Sequence, residues 1–535
     1  MKLAGVNVAA ADPGAPPIRA RTVAGIAGIV AILILLAKSF GFVREIVIAG
    51  AFGAGWERDA YNLAYQIPAY ALILLGGLNG PFHSATLAAL TRLKESGREI
   101  KGSPVLTIML LTGAVMASVA ALVYVFAAPI VMLQGPWAAA QTQALATSQL
   151  RYMVPVLLVG AWIGVLCGVS THHGRFALPT LSPAVSSLAI IGFVLWRPDD
   201  PLMLAVGTTV GAILQLLLQG FPAMWAAGPR ALAIRPCSPA DPAIREAGAL
   251  LWPAVLASTI GQVNVFVGTF FLSKAGEGAI AAWGYANIVY QLPLGTLLAA
   301  LLVPLFPRLT AAAARDDRAA LFNHLNRGVQ LVGLVAIPLA VGVAVAAVPL
   351  VRVAFERGRF AETGGTALTA PVLAILCTGM IGYALRDLFV RVFYAVNDAQ
   401  TPMRVMLVSL ALNVVLNALF MFYFKLGLQG IAWSTVIVTW LNFGQIAWAL
   451  RAKLGTLGLG PSWPILVRAL GAALCAGGVM IYLMRIRWPG GFLGGVLELA
   501  AVGAGGAATY GGVLLALRVG RILKGQEAIG GTPRE

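Results

Sequence analysis

Apolar runs of about 18 residues or more, the length a helix needs to cross a bilayer, recur along nearly the whole of this 535-residue chain. Lipid offers no hydrogen-bond partner to a bare peptide group, so each run can satisfy its backbone only as a helix. The predicted spans lie at 22–50, 60–90, 104–132, 147–170, 177–196, 201–225, 247–273, 279–305, 328–353, 367–395, 404–424, 429–451, 463–485 and 492–517. A compact soluble domain has too much surface for its volume to bury that many apolar helices. Composition agrees: 59% of residues are hydrophobic and 11% charged, against about 25% charged in soluble domains. The expected fold class is all-α, a polytopic membrane protein of about fourteen transmembrane helices.

The net charge of +17 would point to nucleic acid in a soluble protein. Here the placement of the cations explains it, and no nucleic-acid partner is expected. Lys and Arg gather in alternate loops: Arg19 and Arg21; Arg92, Lys94, Arg98 and Lys101; Arg175; Arg230, Arg235 and Arg245; Arg308, Arg315 and Arg318; Arg451 and Lys453; Arg518, Arg521 and Lys524. The intervening loops are poorer, with Arg58, Arg197, Lys274 and Lys425, and only Arg357 and Arg359 break the pattern. The positive-inside rule then puts both termini in the cytoplasm. Residues 1–21 read as a polar, Pro-rich, disordered cytoplasmic segment without a signal-cleavage site, and 519–535 as a cytoplasmic tail.

An internal repeat organises the spans. Asn62-Leu63-Ala64-Tyr65-Gln66-Ile67-Pro68 and Asn287-Ile288-Val289-Tyr290-Gln291-Leu292-Pro293 both read N-x-x-Y-Q-[I/L]-P. Pro179 and Pro402, each entering a span, give a weaker echo. Two pseudo-symmetric six-helix lobes are expected, 22–228 and 229–455, with the last two spans at 456–518 outside the duplication. Parallel repeats of this kind are a transporter architecture, with substrate held between the lobes.

The chain carries no G-x-S-x-G and no Walker sequence, so neither a hydrolase elbow nor ATP-driven transport is expected. Cys167, Cys377 and Cys475 lie in apolar runs, Cys237 in a polar loop, and no CxxC pairs them; no disulfide framework, metal site or cofactor is expected. The pair His172-His173 reads as inert loop histidines.

Chemistry is expected where charge enters the membrane, because an intramembrane cation costs about 2.5–3.5 kcal/mol on insertion scales and normally faces a cavity or a partner. The first span holds Lys38, Arg44 and Glu45. Lys38 and Arg44 are expected to face a cavity; the plainer reading is a Lys38–Glu45 or Arg44–Asp59 pair that stitches helices together. Asp59 opens the second span, as its N-cap or as a gate contact. Arg386 and Asp387 lie deep in the tenth span and are candidates for an internal pair. Gln262 and Asn264 in the seventh suit helix packing.

Three stretches carry a family resemblance: G-F-V-R-E-x-x-I-A-G-A-F-G-A-G-x-x-x-D-A-Y from Gly41 to Tyr61, F-E-R-G-R-F from Phe355 to Phe360, and R-V-F-Y-A-V-N-D-A-Q-T-P from Arg391 to Pro402. With these the sequence resembles the MurJ/MviN family, lipid II flippases of the MATE-like flippase and exporter superfamily; the run Gly76 to Ala85 is similar to its cyanobacterial-type branch. The resemblance implies fourteen helices in two lobes around a cationic cavity, with the last two helices forming a lipid-tail groove. It implies a bacterial inner-membrane protein, not an enzyme, that moves an undecaprenyl-diphosphate-linked peptidoglycan precursor by alternating access. Lipid II or a similar polyprenyl-diphosphate lipid, membrane lipids and cell-wall synthesis enzymes are the implied partners.

Carried over residue by residue, the family's two first-span cations fall on Lys38 and Arg44, and its acid opening the second span on Asp59. Asn62, Gln66, Asn287 and Gln291, from the repeat, are expected to contact substrate, with Glu45, Arg386 and Asp387 as secondary candidates. Other cavity charges of the family fall on Leu72, Ile288 and Gln291, and a sodium-binding acid of some members near Gly268, all uncharged here. Those departures leave an exporter of another lipid-linked oligosaccharide or a small amphiphile as the alternative function.

Overall fold

The computed structural model describes residues 20–77, 80–96, 102–227, 235–238, 241–455 and 457–519; both predicted terminal segments fall outside them, apart from residues 20, 21 and 519. In chain order the helices are α1 (Ala20–Phe52), α2 (Trp56–Ala69), α3 (Pro81–Ser96), α4 (Pro104–Val125), α5 (Ala127–Gln134), α6 (Ala140–Met153), α7 (Pro155–His172), α8 (Ala177–Leu181), α9 (Pro183–Trp196), α10 (Leu202–Ala227) and α11 (Pro242–Leu272). There follow α12 (Ala279–Ala314), α13 (Arg318–Val345), α14 (Ala347–Phe355), α15 (Arg359–Glu362), α16 (Gly365–Thr378), α17 (Met380–Ala395), α18 (Gln400–Ala418), α19 (Gly427–Leu454), α20 (Trp463–Met484) and α21 (Gly491–Ala516).

Among the described residues, nine helical stretches are long and apolar enough to cross a membrane, and the pair α16–α17, bent by 44°, makes a tenth. Helices α1, α2 with α3, α11 and α19 fill the other predicted spans, so the architecture is consistent with fourteen. The second span is not the single helix that was expected. Pro68 lacks an amide hydrogen, and after it the chain widens into a π turn at Tyr70–Leu75, where Gly76 N–H bonds back to Ala71 O. Helix resumes only at Pro81. A second π turn, Leu419–Tyr423, follows α18.

Close helix packing explains the break. Gly160, Gly164 and Gly168 repeat every four residues and so share one face of α7. A Cβ added at Gly160 would lie 2.8 Å from Ala71 O, at Gly164 2.8 Å from Phe82 Cβ, and at Gly168 2.8 Å from Thr86 Cβ. Small residues let membrane helices approach this closely. Gly160→Leu is therefore expected to lower the thermal unfolding temperature of the detergent-solubilised protein, since overpacking costs about 1–3 kcal/mol; an unchanged temperature would contradict this packing.

Two groups of buried side chains form the core. One draws mostly on α1 to α10, with Ile48, Leu63, Leu150, Val156, Ile163 and Leu204, and takes in Phe271 and Leu272 from α11, Ile280 from α12, and Met421 and Ile431 near the start of α19. The other draws mostly on α12 to α19, with Tyr285, Leu325, Val332, Phe355, Phe389 and Leu450, and takes in Ala49 and Ala54 from around the end of α1. α20 and α21 pack on each other and on α13 and α14, where Ile337 meets Ala469 and Ala473, and Ala346 meets Met480 and Val502. The turn before α18 has helix-start chemistry. Asn397 adopts φ 58°, and Asp398 accepts bonds from Thr401 N–H, Thr401 Oγ1 and Lys453 Nζ. Partial burial pushes the Asp398 carboxyl up, but those bonds outweigh it and hold it at about 2.

Candidate functional site

Two neighbourhoods collect the unusual side chains. The first lies where α1 turns into α2. The short loop Gly53–Gly55 brings the end of α1 against the start of α2, and Arg58 and Asp59 fall in α2's first turn, both buried. Glu45, 4% exposed, is shared by two arginines. Arg44 Nη2 donates to one carboxylate oxygen at 2.6 Å and its Nε to the same oxygen at 3.1 Å, while Arg58 Nη2 donates to the other at 2.6 Å. The Arg58 guanidinium lies over the rings of Tyr61 and Tyr285, at 5.2 and 5.4 Å.

The same end is tied to α12 and to the loop before α16. Asp59 does not cap its own helix, whose N-cap is Gly55. Its two oxygens accept, at 2.7 Å each, from the N–H groups of Gly278 and Ala281 at the start of α12. A carboxylate here satisfies amides that would otherwise be orphans and sits at the positive end of the helix dipole. Tyr285 donates to Gly53 O at 3.0 Å, and Thr363 Oγ1 accepts from Ala54 N–H at 3.0 Å. Arg359 reaches Glu57 at 3.2 Å; this pair is half exposed and so weak. Below it, Phe355, Phe360 and Tyr285 pack ring against ring, with centroids 5.0–5.7 Å apart. The F-E-R-G-R-F stretch thus supplies two rings of this plate and one arginine of its rim.

The second neighbourhood is a cavity of about 570 Å³ walled by α11, α12, α16, α17, α18 and α19. Amides and hydroxyls dominate its polar lining: Asn264, Asn287, Gln291, Ser409, Asn413 and Asn442. Asn287 and Gln291 bond to each other at 3.3 Å. Arg386 is the charged residue of the wall. Its guanidinium stacks over Tyr383 at 4.4 Å, and its Nε is buried without a protein partner. Lys38, exposed, brings its Nζ within 3.5 Å of where a Cβ would stand on Gly295, a residue of the same wall.

The expected residues therefore divide. Lys38, Asn287, Gln291 and Arg386 gather at the cavity; Arg44, Glu45 and Asp59 gather where α1 meets α2 and the start of α12. Asn62 and Gln66 lie between, Asn62 Nδ2 facing Gly284 of α12 and Gln66 donating to Thr269 of α11. The stitching pairs offered as the plainer reading do not form. Glu45 holds Arg44 and Arg58, not Lys38, and Asp59 holds amides, not Arg44. Asp387 pairs with Arg391, four residues on, at 3.2 Å, and Arg386 lines the cavity. Asn264 lines the cavity rather than serving only packing. Arg58 was missed because it was counted as a loop charge. Its position three residues before Tyr61, beside Asp59 at a helix start, was the available signal.

The chain matches the family model described as "Lipid II flippase MurJ" over residues 48–502. It is 36% identical over 454 residues to a probable lipid II flippase MurJ of Synechocystis, covering 82% of this chain and 84% of that protein. To the lipid II flippase MurJ of Burkholderia cenocepacia it is 28% identical over 476 residues, with 85% and 89% covered. Among solved structures, one titled as lipid II flippase MurJ in an inward closed conformation superposes with a TM-score of 0.73 at 18% identity, over 91% of this chain and 99% of that one. An inward-facing multidrug resistance MATE family transporter gives 0.65 at 16% identity, over 80% and 98%; at these identities the likeness is one of fold.

Proposed function

The chain belongs to the MurJ family of lipid II flippases, and from that premise we propose that it carries lipid II from the inner to the outer leaflet by alternating access of two lobes, 22–228 and 229–455. The match across residues 48–502 carries this reading. The two core groups, one mostly of α1 to α10 and the other mostly of α12 to α19, support the division into lobes. Both termini face the cytoplasm, which places the α1–α2 turn and the start of α12 at the outer surface.

In this conformation the outer end is shut and the cavity receives substrate from within. Lys38 and Arg386 hold the diphosphate. Bonds between a guanidinium or ammonium and phosphate oxygens are charge-assisted and strengthen in a partly dry site. Among the described residues no ion pair neutralises Arg386, and Asp387 is engaged by Arg391. The amides of Asn287, Gln291, Asn413 and Asn442 suit the neutral hydroxyls and amides of a glycopeptide. α20 and α21, packed outside the lobes, border a groove for the lipid tail. Asp59 latches the outer end, and its two bonds, at about 1.5–3 kcal/mol for a hydrogen bond to a charged group, must break for the lobes to part there.

Expression of the chain in a strain depleted of its own lipid II flippase tests the reading. Restored growth without build-up of lipid II is expected. Unrelieved build-up, with the chain present in the membrane, would favour the exporter alternative, to which the largely neutral cavity lining lends some support.

A further inference from the structure

The cavity wall is short of charge and rich in amides. Among its described lining residues Arg386 alone is charged, and Lys38 Nζ adds a second cation beside Gly295. The diphosphate takes both. What the wall offers to the rest of the headgroup is set by the bonds it already makes. Gln291 Nε2 donates to Asn287 Oδ1 at 3.3 Å, and Asn442 Nδ2 to Ser409 Oγ at 2.7 Å. Thr435 and Thr439 donate their hydroxyl protons to the carbonyls of Ile431 and Thr435 in their own helix, at 2.9 and 2.8 Å. Gln291 Oε1, Asn442 Oδ1 and the two threonine oxygens are left to accept. The oxygens of Asn287 and Asn413 already accept, from Gln291 and Asn417, so these two keep N–H groups to donate.

A primary amide matches this wall, because it accepts at its oxygen and donates at its nitrogen. A carboxylate only accepts. It would meet the N–H groups of Asn287 and Asn413, but it would also stand against the oxygens of Gln291, Asn442, Thr435 and Thr439, with no cation left to pair it. Water relieves that mismatch while the cavity is open. Once the lobes enclose the headgroup, an unpaired charge is costly. From this complementarity we infer that the cavity selects a diphosphate lipid whose headgroup is uncharged beyond the diphosphate, namely lipid II with its stem-peptide carboxylates amidated. Gln291 and Asn442 set the preference, by facing the peptide with oxygens. A diphosphate lipid bearing a peptide-free neutral saccharide shares the uncharged headgroup but lacks the amides. The inference rests on the flippase reading.

Translocation by the purified full-length protein in proteoliposomes tests it. Three lipids are compared: amidated lipid II, lipid II with free stem-peptide carboxylates, and a peptide-free disaccharide on undecaprenyl diphosphate. The amidated lipid is expected to cross about tenfold faster than the free acid, the scale of one mismatched contact at a charged group, and faster than the peptide-free lipid. Gln291→Lys and Asn442→Lys each put a cation where an acceptor stands. Each is expected to speed the free acid and to erase the preference for the amidated form. A preference that both variants leave unchanged would overturn the role of Gln291 and Asn442. A peptide-free lipid as fast as the amidated one would overturn the amide assignment and point to a neutral saccharide. The comparison among lipids uses wild-type protein, so it decides even if a lysine variant fails to fold. Wild-type protein that moves both forms of lipid II at one rate, or the free acid faster, defeats this inference alone. Wild-type protein that moves neither form defeats the flippase reading and this inference with it.

Discussion

Lys38→Ala combined with Arg386→Ala is expected to lower lipid II translocation by about 100-fold or more, since each lost charge-assisted contact is worth about tenfold or more. The two residues belong to different helices, α1 and α17, and about 100-fold is the figure for contacts that act independently on the diphosphate they share. Arg386→Lys keeps the charge but loses the planar stack on Tyr383 and the donor fork, and should fall between wild type and Arg386→Ala. The check is the lipid II pool extracted from cells that depend on this chain: it should swell in the double variant and partly in Arg386→Lys. A pool of wild-type size in the double variant would remove Lys38 and Arg386 from the substrate path. The unused carboxylate next door gives a contrast: Asp387→Asn frees Arg391 and leaves Arg386 facing the cavity, so its effect should be far smaller.

Asp59→Ala is expected to open the outer end. It removes two 2.7 Å bonds to Gly278 and Ala281 and the negative charge at the α12 N-terminus. A loss of about 1.5–3 kcal/mol for even one of them shifts the closed-to-open ratio by about 10- to 100-fold. In a background lacking the exposed Cys475, a cysteine placed by Ala281→Cys should react with a membrane-impermeant thiol reagent much faster when Asp59 is alanine. Asp59→Asn keeps one good acceptor and should react at an intermediate rate. Equal rates in all three would mean that this contact does not latch the end.

The helices were legible because lipid forces a simple choice: an apolar run of sufficient length is a helix or it is not in the membrane. The interruption of the second span was less so. It depends on Gly160 and Gly164, nearly ninety positions downstream of Pro68 and Gly76, and no local pattern announces a partner that far away. The site was legible as a set of charges and not as a set of pairs. Lys38, Arg44, Glu45, Asp59 and Arg386 stand out because charge is rare in apolar spans. Their partners come from other helices, so helix periodicity alone does not reveal them. Asp59 looked like the start of its own helix and instead caps another; Arg58 looked like a loop cation and is buried between two tyrosines. Arg386, on α17, lies outside the Asn287–Pro293 repeat and yet lines the same cavity as Asn287 and Gln291.

The central claim is that this chain moves lipid II across the membrane through the Lys38–Arg386 cavity. The most direct measurement is the fraction of lipid II in the outer leaflet of spheroplasts in which the chain is the sole flippase, read by an externally added hydrolase that cannot cross the membrane. Wild-type protein should keep a substantial fraction cleavable, and the Lys38→Ala, Arg386→Ala double variant should leave the lipid protected inside. Protected lipid II with the wild-type chain, or equal cleavage with the double variant, would contradict the account.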